Sequence, residues 1–281
     1  MSTGSPIVLV HGAWHGSWSW VRVIPFLAAA GRVAVAVDLA GHGLDSRVPA
    51  TALARPFDEA AFATEPSPVA DVTLDVAAGR LAEQLEQVAA LGGPCVLVGH
   101  SMGGTVVTAA AERASEHVRS LVYVCAFMPA SGVPAGAYIR SAENEGELVG
   151  ALLVADPEVT GALRLDPRSV DPDYRDRLAR AFYGGVPDDI VAATIRMIST
   201  DFPLAIAAGA TELSAECWGA LQRTYVVCTA DEAIREPLQR RFVEEADAAF
   251  PGNPTHVVEL DTAHSPMLAL PAELAGILLA S

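Results

Sequence analysis

One short run constrains this chain more than any other. Four apolar, strand-forming residues, Cys95-Val-Leu-Val98, lead directly into Gly99-His100-Ser101-Met102-Gly103, and a helical pattern opens at Gly104 and runs through Ala111. A serine with glycine two residues to either side suits a strand-to-helix turn so tight that a side chain beside it would clash, and such a turn lifts the serine hydroxyl clear of a sheet. The bare G-x-S-x-G pattern is also compatible with a glycine-rich structural turn. The buried-strand run before it and the helix after it favour a nucleophile.

The surrounding pattern supplies the sheet that such a turn requires. Ile7 to Val10 reads as a strand, His11-Gly-Ala-Trp-His-Gly16 as a loop, Trp20 to Ala30 as a helix and Val33 to Asp38 as a second strand, and strand-helix-strand spacing is the signature of parallel pairing. Further strands are expected at Leu121 to Cys125, Thr224 to Thr229 and His256 to Leu260, with helices at Leu74 to Leu91, Thr105 to Ala114, Pro237 to Ala249 and from Pro271. Ala40 to Asp71 carries four prolines and reads as an ordered excursion. From Pro129 to Ala215 the pattern is helical and irregular, without strong strands. The expected division is therefore a core of residues 1–128 and 216–281 with a helical cap, residues 129–215, inserted into it.

Composition narrows the function classes. At 281 residues and 51% hydrophobic the chain can bury a large core, and no apolar run approaches the roughly 20 residues of a spanning helix, so a soluble protein is expected. The short apolar stretch before His11 is no signal peptide, which makes cytoplasmic residence the default expectation. The formal net charge of -16 argues against nucleic acid and anionic membranes as partners. All 18 basic residues are arginine, which removes every mechanism that depends on a lysine, including Schiff bases and P-loop phosphate binding. The Ala-rich, Arg-only composition suggests a bacterial genome. Four widely spaced cysteines without a CxxC pair read as reduced thiols, and no cluster with ligand spacing points to a metal.

A serine nucleophile needs a base, and the base needs a carboxylate to fix its tautomer. His264 lies in the loop after the last expected strand and is the candidate base. Asp231 follows the Tyr225-Val-Val-Cys-Thr229 strand and is the candidate acid, with Asp261 the competitor whose place at a strand exit suits a loop cap. The oxyanion would be held by the N–H groups of Met102 and Ala13. Gly12, His11 and His100 are expected to support the site, and Trp14, Phe127, Met128 and Met267 to line an apolar pocket at its rim.

Three stretches carry a specific resemblance: Val8-Leu-Val-His-Gly-Ala-Trp-His-Gly-Ser-Trp-Ser-Trp20, Val98-Gly-His-Ser-Met-Gly-Gly104, and Tyr225-Val-Val-Cys-Thr-Ala-Asp-Glu-Ala-Ile234 with Gln239-Arg240. They resemble the α/β-hydrolase superfamily, most closely the branch that holds plant methyl esterases, salicylate-binding esterases and hydroxynitrile lyases. The resemblance implies an α/β fold, a mostly parallel sheet flanked by helices with the helical cap inserted, a Ser101, His264, Asp231 triad, an oxyanion hole at Ala13 and Met102, ester hydrolysis through an acyl-enzyme, and no cofactor. Hydroxynitrile lyases of this branch place a threonine where this chain has Gly12 and a lysine where it has Ser265, so cyanohydrin cleavage is disfavoured. Epoxide hydrolases and haloalkane dehalogenases place an aspartate at the position of Ser101, which disfavours them too, whereas cofactor-free haloperoxidases use the same triad.

The leading expectation is thus a serine carboxylic-ester hydrolase acting on a small, largely apolar ester. A tailoring enzyme of secondary metabolism that uses the same triad for lactone opening, thioester release, acyl transfer or elimination is the alternative, and a small-molecule receptor with little turnover is the third reading. The excursion and the cap are candidate surfaces for a homodimer.

Overall fold

The computed structural model describes residues 4–281. Among the described residues eight strands form, in chain order: β1 Ile7–Val10, β2 Ala34–Val37, β3 Cys95–His100, β4 Val118–Val124, β5 Ala162–Arg164, β6 Asp201–Pro203, β7 Gln222–Cys228 and β8 His256–Leu260. Six of them make one sheet in the order β2-β1-β3-β4-β7-β8, and every pairing in it is parallel. Residues of β1 and β3 are buried throughout, as expected of central strands covered on both faces. Helices Leu74–Ala89, Gly103–Arg113, Glu236–Ala249 and Pro271–Ala280 flank the sheet.

The strand order decides where the site lies. From β1 the chain steps outward to β2, then returns to the other side of β1 as β3 and proceeds to β4, β7 and β8. The loops that leave the carboxyl ends of β1 and β3 therefore diverge, and the crevice between them is where open parallel sheets bind their ligands. These are the loops of His11 to Gly16 and of Ser101.

Local details differ from the sequence expectation for identifiable reasons. The helix expected from Trp20 to Ala30 is a 3-10 turn, Ser17–Trp20, followed by a helix at Ile24–Ala29, with Pro25 at its start setting a fresh N-terminus. The excursion is ordered into short helices at Ala50–Leu53 and Glu59–Thr64. Between β4 and β7 the chain forms helices, the longest at Pro172–Tyr183, and also the antiparallel pair β5 and β6. With three residues in each strand, that pair is too short for a period-2 pattern to register.

Arg164 on β5 and Asp201 on β6 form a buried bidentate pair, with both nitrogen-oxygen distances at 2.7 Å. The same guanidinium donates to the carbonyls of Phe62 and Glu65. One arginine thereby fastens the excursion to the segment inserted between β4 and β7, and its donors are largely satisfied at a depth where an unpaired charge would be costly.

Candidate active site

At the end of β3 the backbone turns through Ser101, whose φ of 53° lies in the left-handed region that only a well-supported non-glycine residue occupies. The support is close packing. A Cβ on Gly103 would sit 2.2 Å from the carbonyl oxygen of His11, and one on Gly99 would sit 3.0 Å from the Cα of Gly104. The two glycines of the motif let helix Gly103–Arg113 start against the loop after β1 while the serine stands between them.

The structure brings Ser101, His264 and Asp231 together although they come from three different strand ends. The Ser101 hydroxyl donates to Nε2 of His264 at 2.9 Å, and the Nδ1 hydrogen of His264 donates to Oδ2 of Asp231 at 2.7 Å. All three are buried. Asp231 is fixed in turn: its Oδ1 accepts the N–H groups of Ala233 at 2.7 Å and Ile234 at 2.9 Å, and the amide of Gln239 approaches Oδ2 at 3.4 Å. Gln239 also exchanges hydrogen bonds with both backbone groups of Cys228, so helix Glu236–Ala249 holds the turn that carries Asp231. The competitor, Asp261, is exposed and accepts from the Thr229 hydroxyl at 3.3 Å.

The loop after β1 is braced by two histidines whose tautomers follow from their partners. His11 donates from Nδ1 to the carbonyl of Gly12 at 2.8 Å and accepts the Leu39 N–H at Nε2, 3.0 Å away. Gly12 C=O and Ala13 N–H belong to one peptide plane and point in opposite directions, so His11 turns the Ala13 N–H away from itself. His15 donates from Nδ1 to the Ala13 carbonyl at 2.7 Å and accepts the Tyr183 hydroxyl at Nε2, 3.0 Å away. Each pattern requires a neutral ring. Burial pushes His15 down to about 4 and His11 well below the ordinary histidine value, in keeping with that requirement.

His100 donates from Nε2 to the carbonyl of His264 at 2.8 Å, and the Cys125 thiol donates to the same carbonyl at 3.4 Å. Burial lowers His100 and raises Cys125. Among the described residues, His100, Cys125 and His264 are also the group whose ligand atoms lie close enough to hold a metal ion, within 4.8 Å of one another. Here both ring nitrogens of His264 already serve Ser101 and Asp231, and the other two side chains hold its backbone.

A cavity of about 70 Å³ opens beside Ser101. Ala13, Trp14, Met102 and Phe127 line it, as do Phe182, Leu163, Ile234 and others that carry no local sequence signal. Met128 and Met267, expected at the rim, are not among its lining residues and are 1% exposed. Phe127, whose N–H bonds the Ser101 carbonyl at 3.0 Å, occupies the wall, and Met128 beside it turns into the core. Met267 sits in the short helix Pro266–Ala269, which packs inward on the Ser17–Trp20 turn.

The sequence matches the model of the alpha/beta hydrolase family over residues 7–277. The chain belongs to this family. Among curated relatives it is similar to Esterase PIR7B of Oryza sativa subsp. japonica, 32% identical with 99% of this chain and 96% of that protein covered. It is also similar to Salicylic acid-binding protein 2 of Nicotiana tabacum, 30% identical with 99% and 97% covered. A solved pyrethroid hydrolase from Sphingobium faniae JZ-2 superposes with a TM-score of 0.77 at 23% identity, covering 98% of this chain and 96% of that one. This member of the alpha/beta hydrolase family is a carboxylesterase-like enzyme, and no helix among its described residues is long and apolar enough to cross a membrane.

Proposed function

We propose that this enzyme hydrolyses a small, largely apolar carboxylic ester through an acyl-enzyme on Ser101. The observation that carries the reading is the continuous relay from Asp231 Oδ2 through His264 to the Ser101 hydroxyl. His264 takes the hydroxyl proton as Ser101 Oγ bonds to the ester carbonyl carbon, and Asp231 stabilises the imidazolium that results. The negative charge on the former carbonyl oxygen is received by the N–H groups of Ala13 and Met102. Both residues line the cavity at Ser101, and among the described residues no backbone acceptor is found for either N–H. The proton on His264 passes to the departing alcohol. Water, deprotonated by the same histidine, then attacks the acyl-enzyme and releases the acid.

The apolar walls of the cavity support a neutral substrate at the reacting end. Residues 129–215 act as a cap in this reading, because Phe182 and Leu163 close the cavity from that segment while Ala13 and Met102 close it from the sheet loops.

Intact mass after exposure to a small neutral fluorophosphonate tests the proposal, since that reagent bonds only to a serine whose base and oxyanion donors are assembled. One adduct on the wild type and none on Ser101→Ala is expected. An adduct that persists on Ser101→Ala would remove Ser101 from the role of nucleophile.

A further inference from the structure

The Ser101 cavity and a larger outer cleft of about 850 Å³ share the lining residues Ile139, Asn144, Glu147, Gly150, Leu153 and Leu163. Four of these are apolar or lack a side chain. Asn144 is buried and held within the protein: its Nδ2 donates to the Ile139 carbonyl at 3.2 Å and its Oδ1 accepts the Arg235 N–H at 2.9 Å. Glu147 is therefore, among the described residues, the one charged side chain in the lining that the cavity and the cleft share.

Its placement is built into the loop. The carboxylate accepts the N–H of Val149 at 2.6 Å and that of Gly150 at 3.0 Å. Gly150 permits the approach, since a Cβ there would lie 2.6 Å from Glu147 Oε1. These bonds favour the ionised form and hold it in place, while burial works against them and raises the carboxyl from its ordinary value. Within the cavity no arginine lines the wall to offset this charge, and the outer cleft adds Glu145, Asp156 and Glu158 against a single Arg140.

We propose that Glu147 sets the charge selectivity of the ester site: it excludes esters with an anionic far end and favours those whose far end carries a protonated amine. The inference rests on the hydrolase reading above and names the substrate class of the same site. The apolar inner cavity takes the reacting end of the ester, and the charged end stays beside Glu147, where a fixed carboxylate in a half-buried setting interacts more strongly than it would in open water.

The test uses three esters of one acyl group whose alcohols have equal length and end in trimethylammonium, tert-butyl or carboxylate. For the wild type kcat/KM should fall in that order, with the anionic ester about tenfold or more below the neutral one. In Glu147→Gln the three values should converge to within about threefold of one another. Equal wild-type values, or a Glu147→Gln variant that lowers all three alike, would overturn the proposal, the second because a merely structural residue has no preference of sign. If the variant does not fold, raising salt on the wild type replaces it: turnover of the cationic ester should drop and that of the anionic ester rise, and no opposite response overturns the proposal. Fluorophosphonate labelling of Ser101 in the same preparation separates the two readings. Labelling with no charge preference removes the role of Glu147 alone, whereas absent labelling removes the hydrolase reading and this inference with it.

Discussion

The hydroxyl of Tyr183 donates to Nε2 of His15 across 168 residues of chain, and His15 passes the constraint to the Ala13 carbonyl. Two further bonds act on the same loop: Trp14 Nε1 donates to the Leu163 carbonyl at 2.8 Å, and the Ser199 N–H donates to the Trp14 carbonyl at 2.7 Å. Trp14 itself has a φ of 60°, so the loop holds a backbone shape that it would leave without such contacts. The segment after β4 thus shapes the loop after β1 as well as closing the cavity. Removing one neutral hydrogen bond by Tyr183→Phe should lower kcat by about three- to tenfold with KM little changed, in line with the roughly 1 kcal/mol such a bond contributes. Steady-state kinetics read beside Tm decide the point, because a drop in Tm at constant kcat would make the contact a stabilising one only.

Asp231 serves two masters, the His264 ring and the N–H groups of Ala233 and Ile234. Asp231→Asn retains the shape and should cut kcat on the order of 10³- to 10⁴-fold with a small change in Tm. Asp231→Ala should cost the same activity and an additional 1 to 3 kcal/mol of stability, roughly the penalty for leaving buried donors unpaired. Equal melting temperatures for the two variants would show that the turn does not depend on this carboxylate.

Two glycines give opposite outcomes. At Gly12 an added Cβ lies 2.6 Å from the Ser101 Cβ, so Gly12→Ala should fold and lose activity about tenfold or more as the serine is displaced. At Gly103 the obstacle is a backbone oxygen at 2.2 Å, which cannot swing aside, and Gly103→Ala should yield little folded protein. Circular dichroism and turnover on both variants check the contrast, and a fully active Gly103→Ala would show that helix Gly103–Arg113 can shift.

How much of this was legible beforehand depends on the range of the forces involved. The Ser101 turn is local chemistry, written in five consecutive residues, and His264 and Asp231 stand in loops directly after strands, so the three residues that the structure brings together could be picked from their neighbourhoods. Tyr183 and Arg164 act across 37 to 168 positions and carry no local mark. The segment between β4 and β7 is built from one-turn helices such as Gly136–Ile139 and three-residue strands, too short for periodicity to show. Met128 and Met267 illustrate the same limit, since which of two neighbouring side chains faces a cavity is decided by tertiary packing.

Acid should unfold this protein earlier than its net negative charge alone suggests. Burial lowers His15 and His42 from 6.5 to about 4, and it lowers His11 and His100 well below the ordinary value too. Below about pH 6.5 the unfolded chain takes up protons that the folded chain refuses, so stability is full above that value and drains away as the pH falls toward 4, by about 3 kcal/mol for each of His15 and His42. Denaturation midpoints between pH 8 and pH 5 should show a steep acid limb, shallower in His42→Phe. A flat profile down to pH 5 would contradict the burial of these rings.

Arg164→Leu should be the most destabilising single change outside the sheet. It leaves Asp201 as an uncompensated buried charge, at about 3 to 5 kcal/mol, and frees the carbonyls of Phe62 and Glu65. Limited proteolysis should then cut first near residues 54–65, ahead of any cleavage in the sheet. Wild-type resistance at that segment would show that the excursion is held by other contacts.

The bonds from Leu163, Tyr183 and Ser199 to the loop of residues 13 to 15 set a timetable for synthesis. That loop is translated well before the residues that brace it, so it reaches the shape seen here only after Leu163, Tyr183 and Ser199 have been made. A nascent chain can pair β1 with β3 early, yet the loop beside that pair waits for a partner 185 residues downstream.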